Sequence, residues 1–365
     1  MRLTRNALPR LRWQTAAVET RKLTSTNGFV MLDAPEAEVS VGPTRLGAKL
    51  IPGNAENFAR HLTYVFGVLG EKKAGATVGL KVEPADAAEA VAAFAEEFGE
   101  ELAAQRLLTS AGLRLNNDSL APVLAHDQRN KIGFDDRDGI SFEDELLGVG
   151  AATAVAHVLG GSDVRSLEGR RVAIEGFGSS GVAIAREVAA MEGSVARIST
   201  AKGTLSGSFD AQTLASAFAA DGPDMVGSLG SPGKPWEIWR GEGIDAIFVT
   251  SKPGAMSGEG ASSLGQTPVI PIGTSPITSK ALAILRKAGA PVVADFVTSI
   301  GPALSWWPQE GADHDALRLA TGNTVSAILD EVGGHEQGSY LGACHKAEAF
   351  MSTWMEKLPF GRPLG

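Results

Sequence analysis

The second half of the chain alternates short apolar runs with stretches of helical periodicity. Apolar runs typical of buried strands cover residues 172–175, 194–199, 243–249, 267–272 and 290–295, and a helical pattern over 279–288 precedes the last of them. Strands that alternate with helices in this way form a parallel, doubly wound sheet. The pattern therefore predicts an α/β fold with a Rossmann-type sheet in this half.

The first half has strand and helix patterns of its own. Residues 38–41 resemble a short strand, Asn54 is placed to cap a helix over 55–69, and the glycine-containing segment 73–82 ends at Pro84. The clearest amphipathic pattern predicts one helix over 85–107, and 109–142 is rich in loop residues. A helical pattern returns over 143–157, and 312–357 predicts two helices broken at Gly333–Gly334.

Composition narrows the classes of protein and partner. A length of 365 residues allows two domains, and a net charge of −9 argues against nucleic acid and anionic membranes as partners. Cys344 is the one cysteine, so no intrachain disulfide can form, which fits a reducing compartment. The first 14 residues contain four arginines but no apolar segment follows them, so they do not resemble a secretory signal. We therefore expect a cytoplasmic protein.

A Gly-x-Gly-x-x-Gly motif follows the first of the apolar runs in the second half. Gly176 permits a tight strand-to-helix turn, Gly178 allows close approach of a pyrophosphate, and Gly181 allows the helix to pack on the strand. The helix N-terminus offers free N–H groups to the phosphates. The motif therefore predicts a dinucleotide cofactor, bound at the turn by Gly176, Phe177, Gly178, Ser179, Ser180 and Gly181.

The end of the second strand bears on the choice of cofactor. An acidic residue usually binds the ribose 2′-hydroxyl of NAD there, but this position has Ser199, Thr200 and Lys202. Two hydroxyls and an ammonium suit a 2′-phosphate, so the sequence favours NADP over NAD. The alternative is that these are ordinary turn residues and that either cofactor binds.

Several short motifs, taken in order, resemble the glutamate/leucine/phenylalanine/valine dehydrogenase family. They are Gly42-Pro43 with Gly47, Leu62-Thr63-Tyr64, Gly75 and Gly79 leading to Val82-Glu83-Pro84, the glycine turn, Pro276, and Asp295-Phe296-Val297 with Gly301. The resemblance implies an N-terminal α/β substrate and oligomerisation domain, a Rossmann domain, C-terminal helices returning to the first domain, a deep cleft and a homo-oligomer. We place these units at residues 1–142, 143–310 and 311–365.

The resemblance also shows which of the family's functional residues are replaced. The lysine that pairs with the substrate carboxylate corresponds to Val65, and the lysine that polarises the reacting carbon corresponds to Thr77. Asp118 is the counterpart of the aspartate that shuttles protons. On the cofactor side, Ser299 replaces an asparagine and Leu147 replaces the threonine that contacts the nicotinamide amide.

Other residues could supply the missing charge. Arg45 lies where some family members have a further substrate-binding lysine, and Lys73, with its neighbours Lys72 and Lys81, flanks the altered glycine segment. Thr250, Ser251 and Lys252 follow a strand at its carboxyl end, where ligands bind in such sheets, so we expect them to contact the cofactor or the substrate. The alternative is that these cations are solvated surface charges. Of the nearby histidines, His61 is predicted to pack within a helix, and His126 is the better acid–base candidate.

The sequence thus favours an NAD(P)-dependent oxidoreductase whose amine chemistry is altered or lost. Asp118 and Thr77 are the predicted catalytic residues, and Arg45, Val65 and Lys73 are the predicted substrate contacts. The substrate is then either less anionic than an amino acid or bound by a different cation such as Arg45. Two alternatives remain open, namely an inactive cofactor-binding homologue that acts as a sensor or partner, and an amino-acid dehydrogenase with relocated lysines. No cysteine or histidine cluster has zinc spacing, so no metal site is predicted.

Overall fold

The computed structural model describes residues 18–161 and 166–365, and its first half contains a five-stranded sheet. Its strands are β1 (Glu19–Lys22), β2 (Gly28–Leu32), β3 (Ser40–Leu46), β4 (Ala74–Leu80) and β5 (Leu107–Ala111), in the order β1-β2-β4-β3-β5. Strands β3, β4 and β5 are parallel, whereas β1 and β2 extend the sheet by antiparallel pairing. The carboxyl ends of β3, β4 and β5 therefore lie at one edge of the sheet.

The second half contains a Rossmann-type sheet. Its strands are β6 (Arg171–Glu175), β7 (Ser194–Thr200), β8 (Gly203–Phe209), β9 (Ala246–Val249) and β10 (Val269–Pro271), in the order β10-β9-β6-β7-β8. Strands β10, β9, β6 and β7 are parallel, and both faces of this part are covered by helices and buried side chains. The predicted α/β fold, with a Rossmann-type domain and a second α/β domain, is confirmed.

Helices surround both sheets in the described part of the chain. They are α1 (Glu56–Leu69), α2 (Ala87–Glu97), α3 (Gly99–Ala103), α4 (Ala121–Leu124), α5 (Phe142–Gly160), α6 (Ser179–Ala190), α7 (Ala211–Asp221), α8 (Met225–Leu229), α9 (Gly258–Leu264), α10 (Ser279–Ala288), α11 (Asp295–Thr298), α12 (Gly301–Trp306), α13 (His314–Gly333) and α14 (Ser339–Met351). None of these helices is long and apolar enough to cross a bilayer.

Two sequence-based predictions of local structure were wrong. The single helix predicted over 85–107 is two helices, α2 and α3, separated at Phe98, and its last residue, Leu107, is the first residue of β5. The strand predicted over 290–295 is reduced to one bridge between Val292 and Val269, and α11 begins at Asp295. In the first segment the helical pattern is correct and only the break at Phe98 was not predicted, whereas in the second a short apolar run does not by itself distinguish strand from helix.

Helix α5 joins the Rossmann sheet to the C-terminal helices and is buried along most of its length. Gly148 lies against Ala183 of α6, where a Cβ would lie 2.8 Å from a backbone carbon. Gly150 lies against Thr298, where a Cβ would lie 2.3 Å from the carbonyl oxygen. On the other side of the molecule, α14 packs on α1, where the Tyr64 hydroxyl bonds to the Glu348 carboxylate at 3.0 Å. The C-terminal helices thus contact the first domain.

Candidate functional site

The glycine turn after β6 has the geometry that its sequence predicts. Gly176 has φ +79°, and a Cβ on it would lie 2.6 Å from the Ser251 backbone nitrogen, so only glycine fits. Gly178 is extended, and a Cβ on it would meet no atom closer than 3.9 Å. Helix α6 begins at the next residue, and no side chain caps its N-terminus. Open space in front of an uncapped helix N-terminus fits the pyrophosphate of a dinucleotide.

The other residues of the turn hold it in place. Phe177 is buried, and its N–H donates to the Ser199 carbonyl at 2.7 Å, which ties the turn to the end of β7. The Phe177 ring also fills the space over Gly181, where a Cβ would lie 3.0 Å away. Ser180 donates its hydroxyl to Asp144 at 3.0 Å and thereby fixes the first turn of α6 against α5.

At the end of β7 the structure shows a carboxylate, that of Asp224, near Lys202, which the sequence around the strand end did not reveal. Ser199 and Thr200 are buried, and the Thr200 hydroxyl donates to the Pro223 carbonyl at 2.7 Å. The Lys202 ammonium is exposed and lies 2.9 Å from the exposed Asp224 carboxylate. Asp224 comes from a 3-10 turn over Gly222–Asp224, so no pattern at the strand end could have predicted it.

The loop after β9 is bonded to the glycine turn. Thr250 donates its hydroxyl to the Glu175 and Gly176 carbonyls at 3.0 and 2.8 Å, and Ser251 donates to the Glu175 carboxylate at 2.7 Å. Burial raises the pKa of Glu175, and the Ser251 hydroxyl and the Lys252 ammonium oppose that rise. These bonds hold the two loops as one unit at the carboxyl edge of the sheet.

A cavity of about 330 Å³ lies between the carboxyl edges of the two sheets. The first domain contributes Pro43, Arg45 and Phe58 to its lining, and the Rossmann domain contributes Lys252, Ile272 and Thr274. The Arg45 guanidinium lies 4.0 Å from the centroid of the Phe58 ring, and burial lowers its pKa. Arg45 and Lys252 are the charged residues among the described residues that line this cavity.

The structure places several predicted site residues away from this cavity. Val65 is fully buried in the core, and Thr77 is buried in β4, where its hydroxyl donates to the Pro43 carbonyl at 3.2 Å. Asp118 is exposed on a turn, and Gly112 and Leu113 line the cavity from the segment after β5 instead.

Three further candidates also lie outside the cavity lining. Lys73 pairs with Glu71 at 2.5 Å and lies 4.3 Å from the ring centroid of Trp307, at the start of β4 and so opposite its carboxyl edge. His126 is exposed. Ser299 is buried, and its hydroxyl accepts a bond from the Gly273 N–H at 2.9 Å, next to the cavity-lining Thr274.

Sequence reasoning missed a buried polar network at the junction of the domains. His61 of α1 lies 2.8 Å from the Asp295 carboxylate, which also accepts the Ser275 N–H at 2.8 Å and lies 3.1 Å from the Tyr340 hydroxyl. Ser275 has φ +45° and lies between the cavity-lining Thr274 and Pro276. The network thus links α1, the cavity wall and α14. Asp295 belongs to a matched motif and His61 directly precedes another, but the sequence did not show that the two meet.

Comparison with solved structures shows which proteins this architecture resembles. The chain is similar to a hetero-hexameric glutamate dehydrogenase from Thermus thermophilus in a leucine-bound form, with a TM-score of 0.76 at 19% identity over 93% of this chain and 89% of that chain. It is also similar to a glutamate dehydrogenase from Peptoniphilus asaccharolyticus (TM-score 0.68, 15% identity, 93% and 92%) and to an L-tryptophan dehydrogenase from Nostoc punctiforme (0.63, 13%, 93% and 96%).

Sequence comparison gives no such match. No model of a protein family matches the chain, and a search of curated proteins gives no significant match. The similarity therefore lies in the architecture, which extends over nearly the whole of each chain. On this basis, the chain has the two-domain fold of the amino-acid dehydrogenases.

Proposed function

We propose that the protein is an NAD(P)-dependent oxidoreductase that acts on a small anionic substrate in the interdomain cavity. The observation that carries the proposal is the glycine turn, in which Gly176 at positive φ, open Gly178 and the uncapped N-terminus of α6 form a site suited to pyrophosphate. A nicotinamide cofactor bound there would supply the hydride that the reaction transfers. The fold and the sequence resemblance support the same class of activity.

The residues around the turn have distinct proposed roles. The first N–H groups of α6 bind the phosphates, and Thr250, Ser251 and Ser299 shape the loops beside them. In the cavity, Arg45 and Lys252 bind the anionic group of the substrate, and apolar side chains such as Phe58 exclude water from it. Asp118 and Thr77 are not part of this proposal, because neither lines the cavity.

NADP is the proposed cofactor, with Lys202 as the cation that binds its 2′-phosphate. Lys202 is exposed at the end of β7, beside the buried Ser199 and Thr200. Asp224 pairs with it and is the carboxylate available to the 2′-hydroxyl of NAD. The two side chains thus favour opposite cofactors, so Lys202→Ala should weaken NADPH binding and Asp224→Ala should weaken NADH binding.

A second candidate is a cofactor-binding protein without chemistry, assembled as the proposed homo-oligomer. The positions of the two family lysines hold the buried Val65 and Thr77, and none of the described residues that line the cavity is acidic. Such a protein would bind the cofactor and would not turn over. The two proposals predict different results when the protein and NADPH are incubated with a panel of keto, imino and enone compounds. The leading proposal predicts that at least one compound leads to oxidation of NADPH, and this second proposal predicts that none does.

The first experiment titrates NADPH and NADH separately and follows energy transfer from tryptophan to the reduced nicotinamide. Gly178→Ala should fold normally, since its Cβ has room, but should lower affinity by at least about tenfold because that Cβ occupies the space of the pyrophosphate. Gly99→Ala is the matched control, because its Cβ likewise has room, with nothing within 4 Å, and lies outside the turn. Equal affinity in both variants, or no binding by the parent protein, would overturn the proposal.

A further inference from the structure

The interdomain cavity has two cations and no balancing carboxylate in its lining. Arg45 enters from the end of β3 and Lys252 from the loop after β9, so each domain contributes one of them. Neither side chain forms an ion pair within residues 18–161 and 166–365. Their charges are therefore available to a ligand.

Glu175 is a carboxylate close to Lys252, but it lies outside the cavity lining. One Glu175 oxygen accepts a bond from the Ser251 hydroxyl at 2.7 Å, and the other lies 3.4 Å from the Ser251 backbone nitrogen. Burial raises the pKa of Glu175, which favours its neutral form, and the nearby Lys252 ammonium offsets part of this effect. With Glu175 outside the lining, the charged side chains of the cavity wall are the two cations Arg45 and Lys252, and the lining is net positive.

This charge pattern discriminates between small carboxylic acids that carry an ammonium group and those that do not. A carboxylate gains attraction from both cations, and the planar guanidinium of Arg45 can bind it in a bidentate manner. The ammonium group of an amino acid would add a third positive charge to the same partly enclosed space, where no lining carboxylate receives it. A hydroxyl or carbonyl at that carbon is neutral and avoids this repulsion.

We propose that the substrate is an oxo acid or hydroxy acid, and that the reaction interconverts the carbonyl and the alcohol without any amine. This inference rests on the proposed function and names the substrate class of the same cavity. It separates the chain from the glutamate and tryptophan dehydrogenases that share its fold. Arg45 holds the carboxylate, and Lys252 lies at the reacting oxygen.

In this proposal the proton would come from a residue that lines the cavity, and the hydride would come from the nicotinamide cofactor of the proposed function. The carbonyl carbon accepts a hydride from the reduced nicotinamide, the π pair of the C=O bond moves to oxygen, and that oxygen takes a proton from Lys252 Nζ. The products are the hydroxy acid, the oxidised nicotinamide and a neutral lysine amine, which regains its proton from water. Lys252 is the proton donor because a guanidinium such as that of Arg45 does not release its proton in proteins.

Binding by isothermal calorimetry tests the proposal without requiring turnover. The probes are matched in carbon skeleton, namely L-lactate against L-alanine and 2-hydroxy-4-methylpentanoate against L-leucine, each with and without NADP⁺. The hydroxy acids should bind at least about tenfold more tightly than their amino counterparts, since the amino acid adds one positive charge beside the two cations of the cavity. Equal binding, tighter binding of the amino acids, or no binding of any probe would overturn the proposal.

Variants separate binding from proton transfer. Arg45→Met and Lys252→Met should each weaken hydroxy acid binding by about tenfold or more, whereas Lys287→Met, at an exposed cation of α10 outside this cavity, should not. Lys252→Arg keeps the charge, so it should bind within about threefold of the parent protein but reduce oxo acid more than about 100-fold more slowly. Unchanged turnover in Lys252→Arg would remove the proposed proton donor.

The reaction itself separates this inference from the proposed function. NADPH or NADH oxidation by oxo acids should need no ammonia, and NAD(P)⁺ reduction should occur with hydroxy acids and not with amino acids. If the cofactor binds but turnover requires ammonia or an amino acid, the inference fails and the proposed function stands. If the cofactor does not bind, the proposed function fails, and the calorimetric comparison of the probes without NADP⁺ still decides which acid the cavity prefers.

Discussion

Glu143 is an acidic residue whose carboxylate is enclosed at the start of α5. The Trp306 indole N–H donates to it at 2.6 Å, and burial raises its pKa from 4.5 to about 7 even though this bond and the nearby Arg129 oppose the shift. Between these two values the folded protein binds a proton that the unfolded chain does not. The resulting stabilisation is fully present below about pH 4.5 and is lost as the pH rises through about 7.

Glu143→Gln should therefore remove a pH dependence of stability. The amide oxygen can still accept the Trp306 bond, and no charge forms at high pH. We expect the variant to be more stable than the parent protein at pH 8 by about 1–3 kcal/mol, with a smaller difference at pH 5. Urea unfolding at the two pH values measures this, with the surface variant Glu100→Gln as control. A difference that is the same at both pH values would contradict the assignment.

The sequence predicted the types of residue in the cleft better than their positions. It identified Arg45 and Lys252 as candidate cations, and both line the cavity. It placed the proton shuttle at Asp118, but that residue is exposed, and the nearby segment that reaches the cavity contains Gly112 and Leu113. A motif fixes the kind of residue, whereas the direction of its side chain depends on where the strand before it ends.

At the scale of elements, glycine sets how closely α5 approaches its neighbours. A Cβ on Gly148 would lie 2.8 Å from backbone atoms of Ala183 and 2.9 Å from its side chain, which is closer than real Cβ atoms pack. Helix α6, which carries Ala183, starts at the glycine turn. The spacing between α5 and α6 therefore sets the position of the proposed cofactor site as well as the packing of the core.

Gly148→Ala should separate these two helices and affect stability and binding together. Overpacking of this kind costs about 1–3 kcal/mol, and the shift of α6 should also weaken NADPH binding. Thermal unfolding and the tryptophan energy-transfer titration measure the two effects. Gly333→Ala, near the end of α13 with open space around its Cβ, is the control and should leave both unchanged. An unchanged melting temperature in Gly148→Ala would show that the helices can separate at no cost.

Elements were predictable where local pattern and tertiary environment agree. The strand over 172–175 and the glycine turn after it were predicted correctly, because a buried parallel strand is apolar and the turn needs glycine. Strand β8 was not predicted. The turn of its hairpin with β7 lies at residues 201–202, and residues 206–208 of the strand are exposed and are not apolar, so they lack the pattern of a buried strand. The His61–Asp295 contact was not predictable, since it joins residues 234 positions apart.

At the scale of the whole molecule, the segment 358–365 connects the parts that form the cleft. The Arg60 guanidinium, which pairs with the buried Asp33, donates to the Phe360 and Gly361 carbonyls, and the Tyr340 hydroxyl lies 2.7 Å from the Pro363 carbonyl. Gly365 then donates its N–H to the Ile277 carbonyl at 2.9 Å and lies so close to Gly254 that a Cβ would be 2.3 Å from its nitrogen. The segment therefore ties α1 and α14 to the Rossmann loops beside the cavity.

Removal of residues 359–365 should loosen the two domains. One terminal nitrogen of the Arg60 guanidinium would lose both of its carbonyl acceptors, whereas the Tyr340 hydroxyl would keep its bond to Asp295. An unpaired buried group costs about 1–3 kcal/mol, so the melting temperature should fall. Because the lost bonds join the domains, small-angle scattering should also show a larger radius of gyration. Phe360→Ser is the control, since the Phe360 side chain is 71% exposed and only its carbonyl is used. A lower melting temperature with an unchanged radius of gyration would show that the segment stabilises one domain and does not hold the two domains together. A loss of stability of the same size in Phe360→Ser would show that the effect of the truncation comes from lost apolar surface.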